Sequence, residues 1–139
     1  MCYEEISYKD KQDMIDRLVG KKIVDWNQDY LKLDDGTVIT IEMTASDCCA
    51  TASGEFKDVE LEAVITDIRF GEPVEVSNQW YDETEAKREI VFIHNLNPIG
   101  KANMYANNGN ANYYYSVCAF KINDIYYAPL GSCGETLKD

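Results

Sequence analysis

Two alternating apolar runs, DYLKL (29–33) and TVITIE (37–42), meet across Asp34-Asp35-Gly36, and no other stretch constrains the fold as tightly. An Asp-Gly pair between such runs marks a β-hairpin, because glycine accepts the positive φ that a tight type I′ turn needs. With IVDW (23–26) ahead of it, the stretch 22–42 reads as a β-meander.

Upstream, Met14, Ile15 and Leu18 recur at helical spacing, with Gly20 just past the end as a C-cap, which predicts one short helix over 10–19. Downstream, Ala45 to Lys57 is small and polar and reads as a loop. Asp58 to Phe70 suits a helical turn feeding a strand, because Leu61, Ile65 and Ile68 fit one helix face while Val64-Ile65-Thr66 and Ile68-Arg69-Phe70 fit a strand. Val74 to Trp80 alternates like a strand, and Asp82 to Lys87 reads as a charged connection. EIVFIH (89–94) is strongly β-prone. Seven asparagines between Asn95 and Asn112 predict a long polar loop or loose hairpin. YYYSVCAFKI (113–122) and IYYA (125–128) are the last expected strands, followed by a tail over 129–139. The expectation is therefore an α+β chain, predominantly antiparallel sheet with a short N-terminal α-helix, as a single domain over 1–139 with further strands across 58–128.

Size permits this. A chain of 139 residues with 45% apolar content buries about two thirds of its unfolded surface, so it needs neither metal nor disulfide staples. Five cysteines, Cys2, Cys48, Cys49, Cys118 and Cys133, are odd in number and irregularly spaced, unlike a secreted disulfide framework. No stretch approaches the apolar length of a membrane span, and the first residues lack the pattern of a signal peptide. The expected location is the cytoplasm.

Charge divides the sequence. From Asp25 to Asp67, eleven carboxylates stand against Lys32 and Lys57, a balance of −9 within a total of −12. From Ile90 to Asn123 there is no acid at all, and tyrosines and asparagines take over. Such a field repels phosphate backbones, so direct nucleic-acid binding is excluded as an expectation.

The segments VGKKI (19–23), YLKLDDGTVITIE (30–42), DCC (47–49) and ELEAVITDI (60–68) follow one another in an order that resembles a family of small acidic proteins encoded in bacteriophage and prophage genomes. Near the end, Asn110-Ala111-Asn112-Tyr113-Tyr114 departs from that family's Ser-Asn-Gly-Tyr-Tyr-like segment. The resemblance implies a phage-borne accessory protein made in a bacterial host's cytoplasm. It implies no mechanism.

Catalytic signals are weak. Adjacent Cys48 and Cys49 rarely reach one metal together, and His94, Cys118 and Cys133 would have to arrive from distant strands, so no metal or cofactor is expected. His94 is the sole histidine, ends an apolar strand, and reads as a hydrogen-bonded, partly buried side chain. An acidic field would raise a cysteine pKa rather than favour the thiolate. Phosphate-cradling glycine loops are missing from the sequence.

Two non-enzymatic readings follow. The first is an acidic interaction protein whose Asp25, Asp29, Asp34, Asp35, Asp47, Asp58, Glu60 and Glu62 form one outward face for a basic host protein, inhibiting a nucleic-acid-binding or defence enzyme by charge mimicry. The second is a small-ligand binder with a pocket of Trp80, Tyr105, Tyr113, Tyr115 and asparagine amides.

Overall fold

Asp10 accepts a hydrogen bond from the Asp13 amide at 2.9 Å and so caps α1 (Lys11–Leu18), which buries Met14 and Leu18. The computed structural model describes residues 9–46, 52–78, 83–107 and 116–131. After the helix, the Gly20 amide bonds the Ile65 carbonyl, and the chain enters the expected meander: β1 (Lys22–Asn27), β2 (Tyr30–Leu33) and β3 (Val38–Ser46). Its second turn is not the two-residue form. Gly36 alone takes positive φ, its amide donates to Leu33 and the Leu33 amide to Thr37, which makes a three-residue loop closed by a left-handed glycine.

Later strands are β4 (Ala52–Lys57), β5 (Ala63–Val64), β6 (Asp67–Phe70), β7 (Val74–Asn78), β8 (Glu83–His94), β9 (Asn97–Asn107), β10 (Ser116–Ile122) and β11 (Ile125–Gly131). All paired strands are antiparallel, in two sheets. The six-stranded sheet runs β11-β10-β3-β2-β1-β5; the five-stranded sheet runs β4-β9-β8-β6, with β7 pairing the first half of β8. The molecule is thus mostly antiparallel β-sheet with one short helix near the N-terminus.

The inner faces of the sheets meet at Phe56, Phe92 and Phe120, whose ring centroids lie 6.2 to 6.4 Å apart. Each is fully buried, a gain of about 1.5–3 kcal/mol per side chain. Around these rings the sequence supplies small residues: Ala102 sits between Phe56 and Ile90 in register, and Ala106 between Ala52 and Ala86. At one end, Arg17 Nε donates to the Tyr127 hydroxyl at 2.9 Å, and that hydroxyl donates to Asp13, so the helix is fastened to β11. Arg88, 6% exposed, donates to the carbonyls of Gly71 and Pro129 and lies over the Phe70 ring.

Five expectations change. The 45–57 loop contains the end of β3 and all of β4, where Gly54 is required: a Cβ there would stand 2.8 Å from Ile41 Cγ2 and 2.9 Å from the Asn103 carbonyl. The 58–70 segment has no helical turn. The connection 82–87 belongs largely to β8, which starts at Glu83. The asparagine-rich loop is in its first part the strand β9, with Ala102, Met104 and Ala106 inward and Lys101, Asn103, Tyr105 and Asn107 on the other face. The tail begins no earlier than 132, because β11 continues to Gly131.

Candidate functional site

Between β4 and β5 the chain crosses from one sheet to the other as a strap over 58–62. Its ends are tied down by the Phe56 amide to the Gln28 carbonyl at 3.0 Å and the Glu62 amide to the Ile23 carbonyl at 2.7 Å. These two bonds make the chain over 56–62 run antiparallel to β1, so the segment that carries Asp58, Glu60 and Glu62 passes the strand that carries Asp25. In the β2–β3 turn, Asp34 accepts from the Lys22 amide at 3.3 Å and Asp35 pairs with Lys21 at 2.8 Å.

Of the eight carboxylates expected on one face, seven form an acidic set on β1, its neighbouring turns and the strap; Asp47 lies outside the described residues. Lysines thread it, however. Lys22 pairs with Glu62 at 3.2 Å and Lys101 with Asp58 at 3.4 Å and Glu89 at 3.7 Å. These pairs are solvent-exposed, Glu62 and Asp58 keeping 66% and 67% of their side-chain surface, and exposed pairs contribute about 0–1 kcal/mol each. The acids differ in freedom. The Tyr30 hydroxyl at 2.6 Å, then the Trp26 amide, hold the Asp25 carboxyl below its usual range. Lys21, then the Thr37 hydroxyl and amide, hold that of Asp35 well below it. Asp25, Asp34 and Asp35 thus serve their own turns and strand, whereas Asp29, Asp58, Glu60 and Glu62 present exposed carboxylates.

The same corner holds the β8–β9 turn. His94 pairs with Asn97, and the two residues between, Asn95 (φ 46°) and Leu96 (φ 73°), are both left-handed, the signature of a type I′ hairpin. The sequence reads here only as the start of a long polar loop or loose hairpin, since Asn-Leu lacks the glycine that normally marks this turn. His94 Nδ1 donates to the Val64 carbonyl at 2.8 Å and Nε2 faces Asn95 Nδ2 at 3.2 Å, so both ring nitrogens are engaged in holding the turn against the strap's exit. The Glu60 amide bonds the Ile99 carbonyl at 2.8 Å, closing the corner from the other side.

The outer face of the five-stranded sheet carries an open groove of about 700 Å³, lined by Ser53, Glu55, Lys87, Glu89, Asn103 and Tyr105 among others. Tyr105 donates to Glu85 at 2.9 Å and accepts from Asn107 at 3.0 Å, which fixes its ring. Of the four aromatic residues expected to wall a pocket, Tyr105 alone is placed; Trp80, Tyr113 and Tyr115 lie outside the described residues, as do Cys48 and Cys49. Cys118 is buried beneath β4, its thiol against the Ser53 carbonyl, and burial pushes its pKa up to about 12. Among the described residues no three His, Cys, Asp or Glu side chains converge as a metal site. Nor, among the described residues, is any helix long and apolar enough to cross a membrane.

Residues 16–121 match the family model described as Domain of unknown function (DUF7448). No curated protein and no solved structure matches the chain.

Proposed function

The chain belongs to the family of that domain of unknown function, and from its own surface we propose that it is a non-enzymatic acidic interaction protein that docks a basic partner protein. One observation supports this reading: the strap that carries Asp58, Glu60 and Glu62 is bonded through Phe56 to Gln28 and through Glu62 to Ile23, at the two ends of the stretch that carries Asp25, in a molecule of net charge −12. Carboxylates so arranged steer a basic surface in and fix its register. In the phage setting implied by the sequence resemblance, the partner is a host enzyme that binds nucleic acid or serves defence, and the acidic edge occupies the groove that otherwise takes the phosphate backbone.

Capture from bacterial lysate at low and high salt tests it, because screening shortens to about 8 Å at physiological ionic strength. The wild type is expected to retain a basic protein at low salt and release it at high salt. A variant carrying Asp29→Asn, Asp58→Asn, Glu60→Gln and Glu62→Gln is expected to retain little of it. Capture indifferent both to salt and to these substitutions would falsify the reading.

A second reading rests on the groove. A tyrosine ring fixed from both sides beside the Asn103 amide suits a small polar ligand, whose binding would be insensitive to salt and lost in Tyr105→Ala.

A further inference from the structure

Five non-glycine residues among those described adopt positive φ: Asp58, Glu62, Asn95, Leu96 and Asn123. Four of them belong to the strap and the β8–β9 turn, two segments that the Glu60–Ile99 and His94–Val64 bonds bring to one corner. Left-handed backbone is costly for residues bearing a Cβ, least so for Asn and Asp and most for a bulky side chain such as leucine. Strain of this kind concentrates where structure serves contact rather than folding.

Leu96 is the extreme case. It stands at the second position of a type I′ turn, where glycine relieves the strain, and its side chain is 94% exposed, so no packing in the fold repays the conformation. Leu61, in the strap between Glu60 and Glu62, is 46% exposed. Leu61 lies in the chain between Glu60 and Val64, which are bonded to Ile99 and His94 on the two strands of the hairpin that carries Leu96. Exposed carboxylates lie on the same segments: Glu60 and Glu62 on the strap, and Asp67, which pairs in register with Ile93 at the base of the hairpin.

We propose that Leu96, with Leu61, is the apolar anchor of the docking surface, inserted into an apolar socket on the partner whose rim is basic. This rests on the acidic-docking reading and adds to it the centre that a charged rim lacks. Stable interfaces place a desolvated apolar core inside a polar rim, and the core carries most of the affinity while rim charges govern approach. The rim's sign fixes the partner's chemistry: lysine or arginine around the socket, since Glu60 and Asp67 present negative charge to it while Glu62 is already paired with Lys22.

Photo-crosslinking tests the anchor and the charge separately. Benzoylphenylalanine is placed at position 96, at position 29 within the acidic band, and at position 124 in the β10–β11 turn at the far edge as control. The protein crosslinked from 96 is then purified and used as the probe in binding measurements. The expected result is a basic protein crosslinked from 96 and not from 124, a loss of about tenfold or more in affinity for Leu96→Gly, and an unchanged or raised melting temperature for that variant. Crosslinking from 29 but not from 96, or undiminished affinity of Leu96→Gly, leaves acidic docking standing and overturns the anchor. Crosslinking from 96 at equal yield in high salt, with Glu60→Gln and Glu62→Gln binding as wild type, sustains an anchor on this corner but overturns the basic rim and with it the docking reading. A lower melting temperature for Leu96→Gly overturns the anchor, because the leucine would then serve the fold. No crosslink from either 29 or 96 overturns both.

Discussion

The β2–β3 and β8–β9 turns join strands of the same antiparallel kind, yet one places Gly36 at φ 91° and the other Leu96 at φ 73°. Around the first, both carboxylates of the turn have partners: Asp35 in Lys21 and Thr37, Asp34 in the Lys22 amide. Around the second, the backbone is held from both sides by His94 and Thr66, while the apolar side chain at its tip is left in water. A turn that only has to close takes glycine. A bulky residue retained in the left-handed region, held rigidly and exposed, has to be explained by something the turn meets.

That contrast can be broken or sharpened by substitution. The largest effect is expected from Phe56→Ala, since both turns hang from the core in which Phe56 touches Phe92 and Phe120. A loss of about 3–5 kcal/mol in denaturant unfolding is expected, with amide exchange rising at both turns together. Exchange confined to one turn would mean that the two do not share a core. Tyr127→Phe comes next: it removes the buried hydroxyl to which Arg17 donates and which serves Asp13, and about 1–3 kcal/mol should be lost without any change at the β8–β9 turn.

The reciprocal exchange at the two turns is the sharpest comparison. Gly36→Leu should cost about 1–2 kcal/mol, whereas Leu96→Gly should gain about 1 kcal/mol, both read as shifts in the denaturant midpoint. Equal signs would remove the distinction drawn here.

The smallest effect is on pH dependence. Because Lys21, with the Thr37 hydroxyl and amide, lowers the folded-state pKa of Asp35 below its unfolded value near 4, its contribution is complete above that pH. It disappears as pH falls through the folded-state value. Asp35→Asn should therefore flatten the acid limb of stability below about pH 4 and cost under about 1 kcal/mol at neutrality, since the pair is exposed.

Much of this was legible beforehand, and the failures have physical causes. The meander was readable because Asp-Asp-Gly and alternating branched residues agree on one answer. The strand β9 was not, because Ala102 and Ala106 are weak strand formers whose inward places are set by the strands on either side, Ala102 between Phe56 and Ile90, rather than by the local sequence. The strap misread as a helical turn shows the same limit: Leu61, Ile65 and Ile68 keep helical spacing, but Leu61 faces water and only Ile65 and Ile68 are buried. Of the candidate site, the band of carboxylates could be counted from sequence. Its threading by Lys22 and Lys101 and the leucine at the hairpin tip depend on contacts between segments far apart in the chain.

The most direct test of the central claim is an amide chemical-shift titration of the ¹⁵N-labelled protein with its purified partner. The account predicts the largest shifts at Glu60 to Glu62 and Asn95 to Asn97, weakening as salt is raised. Shifts centred instead on Ser53, Asn103 and Tyr105, and unmoved by salt, would contradict it.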